Sequence, residues 1–131
     1  MFMIRGTTAQ FKFKLPYSYD ELDKIIIKFW QPGNSNESLP RYKYKTDCQE
    51  LARGEVYVSL RPSETALFSD KYKAKMQLRA QPITGGPFGS KERLITVYPM
   101  PDDIIIDDPS IGPGVSPIED WIILDGDTIV D

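Results

Sequence analysis

A strict alternation of apolar and polar side chains recurs along this chain, and it limits the folds open to it. From Gln10 to Leu15, Phe11, Phe13 and Leu15 fall on one side, with Lys12 and Lys14 on the other. Arg41-Tyr42-Lys43-Tyr44-Lys45 repeats the pattern, bases against tyrosines. Tyr72 to Ala80 sets Lys71, Lys73 and Lys75 against Tyr72, Ala74, Met76 and Leu78. A period of two is the mark of a half-buried β-strand, with one face on a core and one in water. Thr7 and Thr8 favour extended backbone before the first of these strands, and Pro16 ends it because proline cannot donate to a ladder.

The remaining segments fit the same class. Lys24-Ile25-Ile26-Ile27-Lys28-Phe29-Trp30 is β-branched and aromatic, the composition of a central strand. Thr46 to Leu51 reads as a short edge strand, and Val56 to Leu60 and Leu94 to Tyr98 as two more. Turn residues separate them at Gln31–Asn36, Arg53-Gly54 and Pro82–Ser90. Arg61 to Phe68 breaks the β pattern; Ser63 is expected to cap one helical turn that points Leu67 and Phe68 inward. Seven or so short strands and one helical turn predict an all-β fold, an immunoglobulin-like antiparallel β-sandwich, with a small barrel as the alternative.

Charge divides the chain. Residues 1–100 carry all 16 Lys and Arg and ten of the 19 acids, a balance of +6; residues 101–131 carry nine acids and no base, a balance of −9. A β-sandwich body over residues 1–98 is therefore expected to bear an extended acidic C-terminal arm, residues 99–131. The arm holds an isoleucine triplet, Ile104, Ile105 and Ile106, between the acid pairs Asp102/Asp103 and Asp107/Asp108. A Pro/Gly-rich linker follows. Trp121-Ile122-Ile123-Leu124 and Ile129-Val130 flank an Asp-Gly turn at Asp125-Gly126, which predicts a terminal β-hairpin. An isolated hairpin is marginal in water, so these side chains need a surface on the body or on another subunit.

Several chemistries are disfavoured. The chain has no histidine, which removes the commonest general base, the commonest metal ligand and every Ser-His or Cys-His nucleophile. Its one cysteine, Cys48, forms no internal disulfide and reads as a buried filler. Gly85 to Lys91 has the wrong spacing and residue order for a phosphate loop, and no helix pattern follows it. The aspartate pairs lack calcium-loop spacing. No catalytic residue, cofactor or metal site is assigned. No apolar run approaches the about 20 residues of a membrane helix, and Met1 to Arg5 lacks the basic start and apolar core of a secretory signal.

The residues assigned to partner binding are the basic faces and the apolar arm. Lys12/Lys14, Lys43/Lys45 and Lys73/Lys75 would form a plate if two of their strands share a sheet. The arm would contribute Ile104, Ile105, Ile106, Trp121, Ile122, Ile123, Leu124, Ile129 and Val130. Nucleic acid is a disfavoured partner, because the aromatics on these strands are expected to face the core, away from the bases.

Ile4-Arg5-Gly6-Thr7-Thr8, followed by alternating residues ending in Leu15-Pro16-Tyr17, resembles the start of small virion-associated proteins of tailed phages and prophages of gut bacteria. The blocks Ile25 to Gln31, Val56 to Phe68 and Met76 to Val97 are also similar, so the resemblance spans about residues 4–98. Ala9 departs from it, where the family pattern has proline, and the arm has no counterpart. The resemblance implies a phage structural protein of the virion, assembled in the host cytoplasm. Its expected partners are other capsid or tail proteins and further copies of itself, met as a decoration or adaptor subunit. The alternative is a tail-associated host- or carbohydrate-binding module, which would need Trp30, Tyr42, Tyr44 or Trp121 exposed in a groove. A carboxylate enzyme is a third reading, for which no converging acid pair is identified.

Overall fold

The computed structural model describes residues 1–100 and, beyond them, the backbone strands Ile122–Ile123 and Ile129–Val130. The body is mostly β: a curled, mixed six-stranded sheet and a three-stranded antiparallel sheet. The larger sheet runs β1 (Phe2–Ile4), β9 (Arg93–Tyr98), β7 (Ala74–Pro82), β3 (Leu22–Trp30), β4 (Arg41–Tyr44), with β8 (Phe88–Ser90) also on β7. The smaller runs β2 (Ala9–Lys14), β6 (Glu55–Leu60), β5 (Gln49–Ala52). Only β1 and β9 run parallel within the body. β7 pairs β9 through Ala74–Met76 and β8 through Arg79–Ala80, so its outer edge forks and the sheet curls.

The expected alternation holds where the core is built. Phe11 and Phe13 of β2, Ile25, Ile27 and Phe29 of β3, Val56, Val58 and Leu60 of β6, and Met76 and Leu78 of β7 are all buried between the sheets. Phe11 and Phe29 meet across the layers with ring centroids 5.1 Å apart. Burying each such side chain removes on the order of 2–3 kcal/mol worth of apolar surface from water.

The opening stretch is not one strand. Phe2–Ile4 pairs with β9 in the large sheet and Ala9–Lys14 with β6 in the small one, so the chain changes sheets between them. Gly6 turns it with φ 77°, a conformation that disfavours any side chain. Thr7, expected to extend, instead bends, and its hydroxyl donates to the Ile4 carbonyl at 2.7 Å. The crossing is pinned to a one-turn helix α1 (Pro62–Thr65). Gly6 N–H donates to Thr65 Oγ1 at 3.1 Å, Thr65 Oγ1 donates to the Thr7 carbonyl at 2.7 Å, and Arg5 Nη2 donates to the Ala66 carbonyl at 3.0 Å. The helical turn was expected, but its cap is Arg61, with Pro62 in the first turn, rather than Ser63.

Gln31, read from sequence as loop, is a buried pin. Its Nε2 donates to the carbonyls of Ser69 and Tyr72 at 2.6 and 2.8 Å, and its Oε1 accepts from Ser69 N–H at 2.7 Å. It fixes the connection between α1 and β7 against the end of β3.

The terminal strands do not form a hairpin with each other. β10 (Ile122–Ile123) pairs parallel with β2, opposite Phe13 and Lys14. β11 (Ile129–Val130) pairs antiparallel with β8, opposite Ser90 and Gly89. Each meets an open sheet edge, whose unpaired N–H and C=O groups are a stronger template than a second two-residue strand. The isoleucine triplet, the Asp-Gly turn, Trp121 and Leu124 lie outside the described residues.

Phe11→Ala is expected to cost about 3–5 kcal/mol. Urea unfolding should show a lower midpoint with an unchanged slope. A loss under about 1 kcal/mol would mean that the sheets do not pack through this ring.

Candidate interaction surface

The predicted basic residues do not form one plate. Lys12 and Lys14 project from β2 on the outward face of the small sheet, because Phe11 and Phe13 take the inward one. Lys75 projects from the outward face of the large sheet and pairs with Glu92 at 3.2 Å. Lys73 precedes β7 and donates to Thr96 Oγ1 at 2.6 Å. Lys45 lies in a 3₁₀ turn after β4, where Nζ donates to the Leu22 carbonyl at 2.6 Å and sits 4.5 Å from the Tyr19 ring centroid.

Lys43 points inward, and with it the faces of β4 are reversed from expectation. Register places Lys43 beside Ile27, a core residue, so Arg41 and Lys43 turn toward the interior while Tyr42 and Tyr44 are 44% and 51% exposed. The cause is Glu64 of α1, which is only 5% exposed. Its carboxylate accepts from Lys43 Nζ at 2.8 Å, from Arg41 Nη2 at 2.9 Å and from Arg61 N–H at 3.0 Å. A buried carboxylate costs several kcal/mol unless it is paired, and β4 supplies both cations. Burial alone would raise the Glu64 pKa; the Arg61 N–H, Lys43 and Arg41 outweigh it and hold the group below the ordinary carboxylate value.

This reversal gives the large sheet a distinctive outward face. β3 contributes Lys24, Ile26 and Lys28, β4 contributes Tyr42 and Tyr44, and β7 contributes Gln77, Arg79 and Gln81. Ile26 stands opposite Tyr44 on one side and Arg79 on the other. Lys28 Nζ lies 4.8 Å from the Trp30 ring centroid. Among the described residues no acid pairs with Lys24, Lys28 or Arg79. Where β8 pairs with β7, the face holds a groove of about 430 Å³, lined by Ile26, Ala80, Pro87 and Phe88 and by Lys24 and Arg79. Phe88 itself faces the core, where Tyr17 stacks on it with centroids 5.5 Å apart.

Sequence reasoning did not single out these groove residues. The signal for Lys24, Ile26 and Lys28 was present in the alternation of β3; the Tyr42/Tyr44 orientation was not, because a tyrosine and a lysine can each take either face. Cys48 is buried as expected, and burial, then Asp47, pushes its thiol pKa up to about 12, far from a reactive thiolate.

No protein-family model, no curated protein and no solved structure matches the chain.

Glu64→Ala should leave two cations facing the interior without their counter-ion and cost roughly 2–3 kcal/mol at pH 7, below the full buried-pair figure because Arg41 reaches water. Because the folded pKa is depressed, this contribution is present above the unfolded value of about 4.3 and lost as pH falls through the folded one. The difference between urea titrations of the two proteins should therefore shrink as pH falls below about 4.3 and vanish once it has passed the folded value. A gap that persists unchanged into acid would contradict the ion-pair account.

Proposed function

We propose that this chain is a structural subunit of a tailed-phage virion, a small decoration or adaptor protein that docks on other virion proteins, or on further copies of itself, through residues 101–131. The observation that carries this reading is the seating of β10 and β11. They come from one acidic arm, yet they add to the open edges of two different sheets. Strand addition is a general docking mode, in which main-chain hydrogen bonds give affinity and alternate side chains give specificity. An edge that accepts a strand of its own chain has the chemistry to accept one from a neighbour. The resemblance of residues 4–98 to phage virion proteins supplies the setting, and the −9 arm beside the +6 body supplies the attraction.

The body is read as immunoglobulin-like in the same proposal. Its orders β2-β6-β5 and β9-β7-β3-β4 correspond to the B-E-D and G-F-C-C′ orders of a variable-type domain. Such a body offers two outward faces and a few free edges, which suits an adaptor.

A second reading, a host- or carbohydrate-binding module at the tail, is favoured by one observation. Tyr42 and Tyr44 are exposed beside a groove that also carries Gln77 and Gln81. Aromatic faces and amides are the groups that hold sugar rings and hydroxyls.

The test removes residues 101–131. The docking reading expects a truncated body that folds, by circular dichroism and cooperative urea unfolding, but is absent from purified particles when it is the only copy produced. Normal incorporation would overturn the reading. Saturable glycan-array binding by the full chain, abolished by Tyr42→Ala/Tyr44→Ala, would transfer the function to the second one.

A further inference from the structure

The groove across β3, β7 and β8 has the charge and shape for one segment of this chain. We propose that it receives the Asp102–Asp108 segment of a second copy, so that copies join head to tail; the proposal rests on the docking role of the arm and names its partner. In an extended segment alternate residues share a face, so Asp102, Ile104, Ile106 and Asp108 line up as two apolar side chains between two acids. The groove presents the complement: the apolar Ile26 and Pro87, with Lys24 two residues from Ile26 along its strand and Arg79 directly across. Gln77 and Gln81, whose Nε2 groups donate to the Ser90, Pro82 and Gly85 carbonyls, add amide oxygens that can accept from an extended backbone.

The last described residue of the body, Met100, lies well away from the groove. Register sets Ala74 opposite Ile95, so Arg79 lies five residues one way along the sheet and Tyr98 three residues the other. At a rise of about 3.3 Å per residue, the path along the strands from Tyr98 to Arg79 is roughly 26 Å. Past Tyr98 the chain goes further off, since Met100 packs at Gly6, beyond the end of the β1–β9 ladder. Five residues from Met100 to Ile105 span at most about 18 Å. A neighbouring molecule has no such limit. Groove and segment are different surfaces of one chain, so the contact is heterologous, and repetition gives a closed ring or an open array.

Two variants test this in the full-length chain. Lys24→Glu/Arg79→Glu spoils the groove and keeps the arm; Asp102→Asn/Asp103→Asn/Asp107→Asn/Asp108→Asn spoils the arm and keeps the groove. Light scattering after size exclusion should show the wild type growing beyond a monomer with concentration, and less so at high salt. Each variant alone should remain monomeric. Their equimolar mixture should form a 1:1 pair and stop there, because only one intact groove meets one intact segment. The pair also certifies that both variants are folded. A monomeric wild type, variants that assemble like the wild type, or a mixture that stays monomeric would overturn the assignment. If it falls while the chain lacking residues 101–131 is still excluded from particles, the docking role of the arm stands and only its partner is wrong.

Discussion

The change of sheet at Gly6 is the constraint on which the rest of the structure depends. One chain must feed the edge of the large sheet through Phe2–Ile4 and the edge of the small sheet through Ala9–Lys14, within four intervening residues. The left-handed backbone of Gly6 makes the turn. Thr65, through Gly6 N–H and the Thr7 carbonyl, and Arg5, through the Ala66 carbonyl, fasten it to α1. That fastening aligns the two layers so that Phe11 meets Phe29. It also gives a physical reason for the Ile4-Arg5-Gly6-Thr7-Thr8 block, which strand propensity alone would not require.

The same crossing decides where the body is open. β1 and β2 meet on one flank, and β8 lies on that side of β7 because β3 occupies the other. The edges of β2 and β8 therefore look toward the same flank, and these are the two edges that β10 and β11 complete. The opposite flank is sealed differently. There Glu64 draws Arg41 and Lys43 inward, holds the edge strand β4 on α1 and turns two tyrosines outward. An electrostatic requirement of one buried carboxylate thus shapes the outer surface of the large sheet, and with it the groove.

Much of the fold was legible from the chain. The strands around Phe11, Ile27, Val58, Leu78 and Ile95 follow from period-two patterning, since each has one face that only a core can satisfy. What was not legible depended on distant partners. Thr7 and Thr8 favour extended backbone locally, and the bond network of Thr65 overrides this at Thr7. Lys43 reads as a solvated base until Glu64 is placed 21 residues away. The Asp125-Gly126 turn signals a hairpin, but a local signal cannot weigh two vacant edges elsewhere on the molecule. Of the proposed interaction surface, the lysines of β3 were readable as a face, whereas the contribution of Gln77, Arg79 and Gln81 required the fork between β8 and β9. The start of β7 at Ala74 rather than Tyr72 also removed Lys71 and Lys73 from the ladder they were expected to share.

The central claim is that the acidic arm works by adding strands to the open edges of the body. Amide hydrogen exchange, compared between the full chain and the chain lacking residues 101–131, reads this at single segments. The account predicts that Phe13–Lys14 and Gly89–Ser90 lose protection when the arm is removed, while the central strand amides of Ile25–Phe29 keep theirs. Equal protection of the two edges with and without the arm would contradict it.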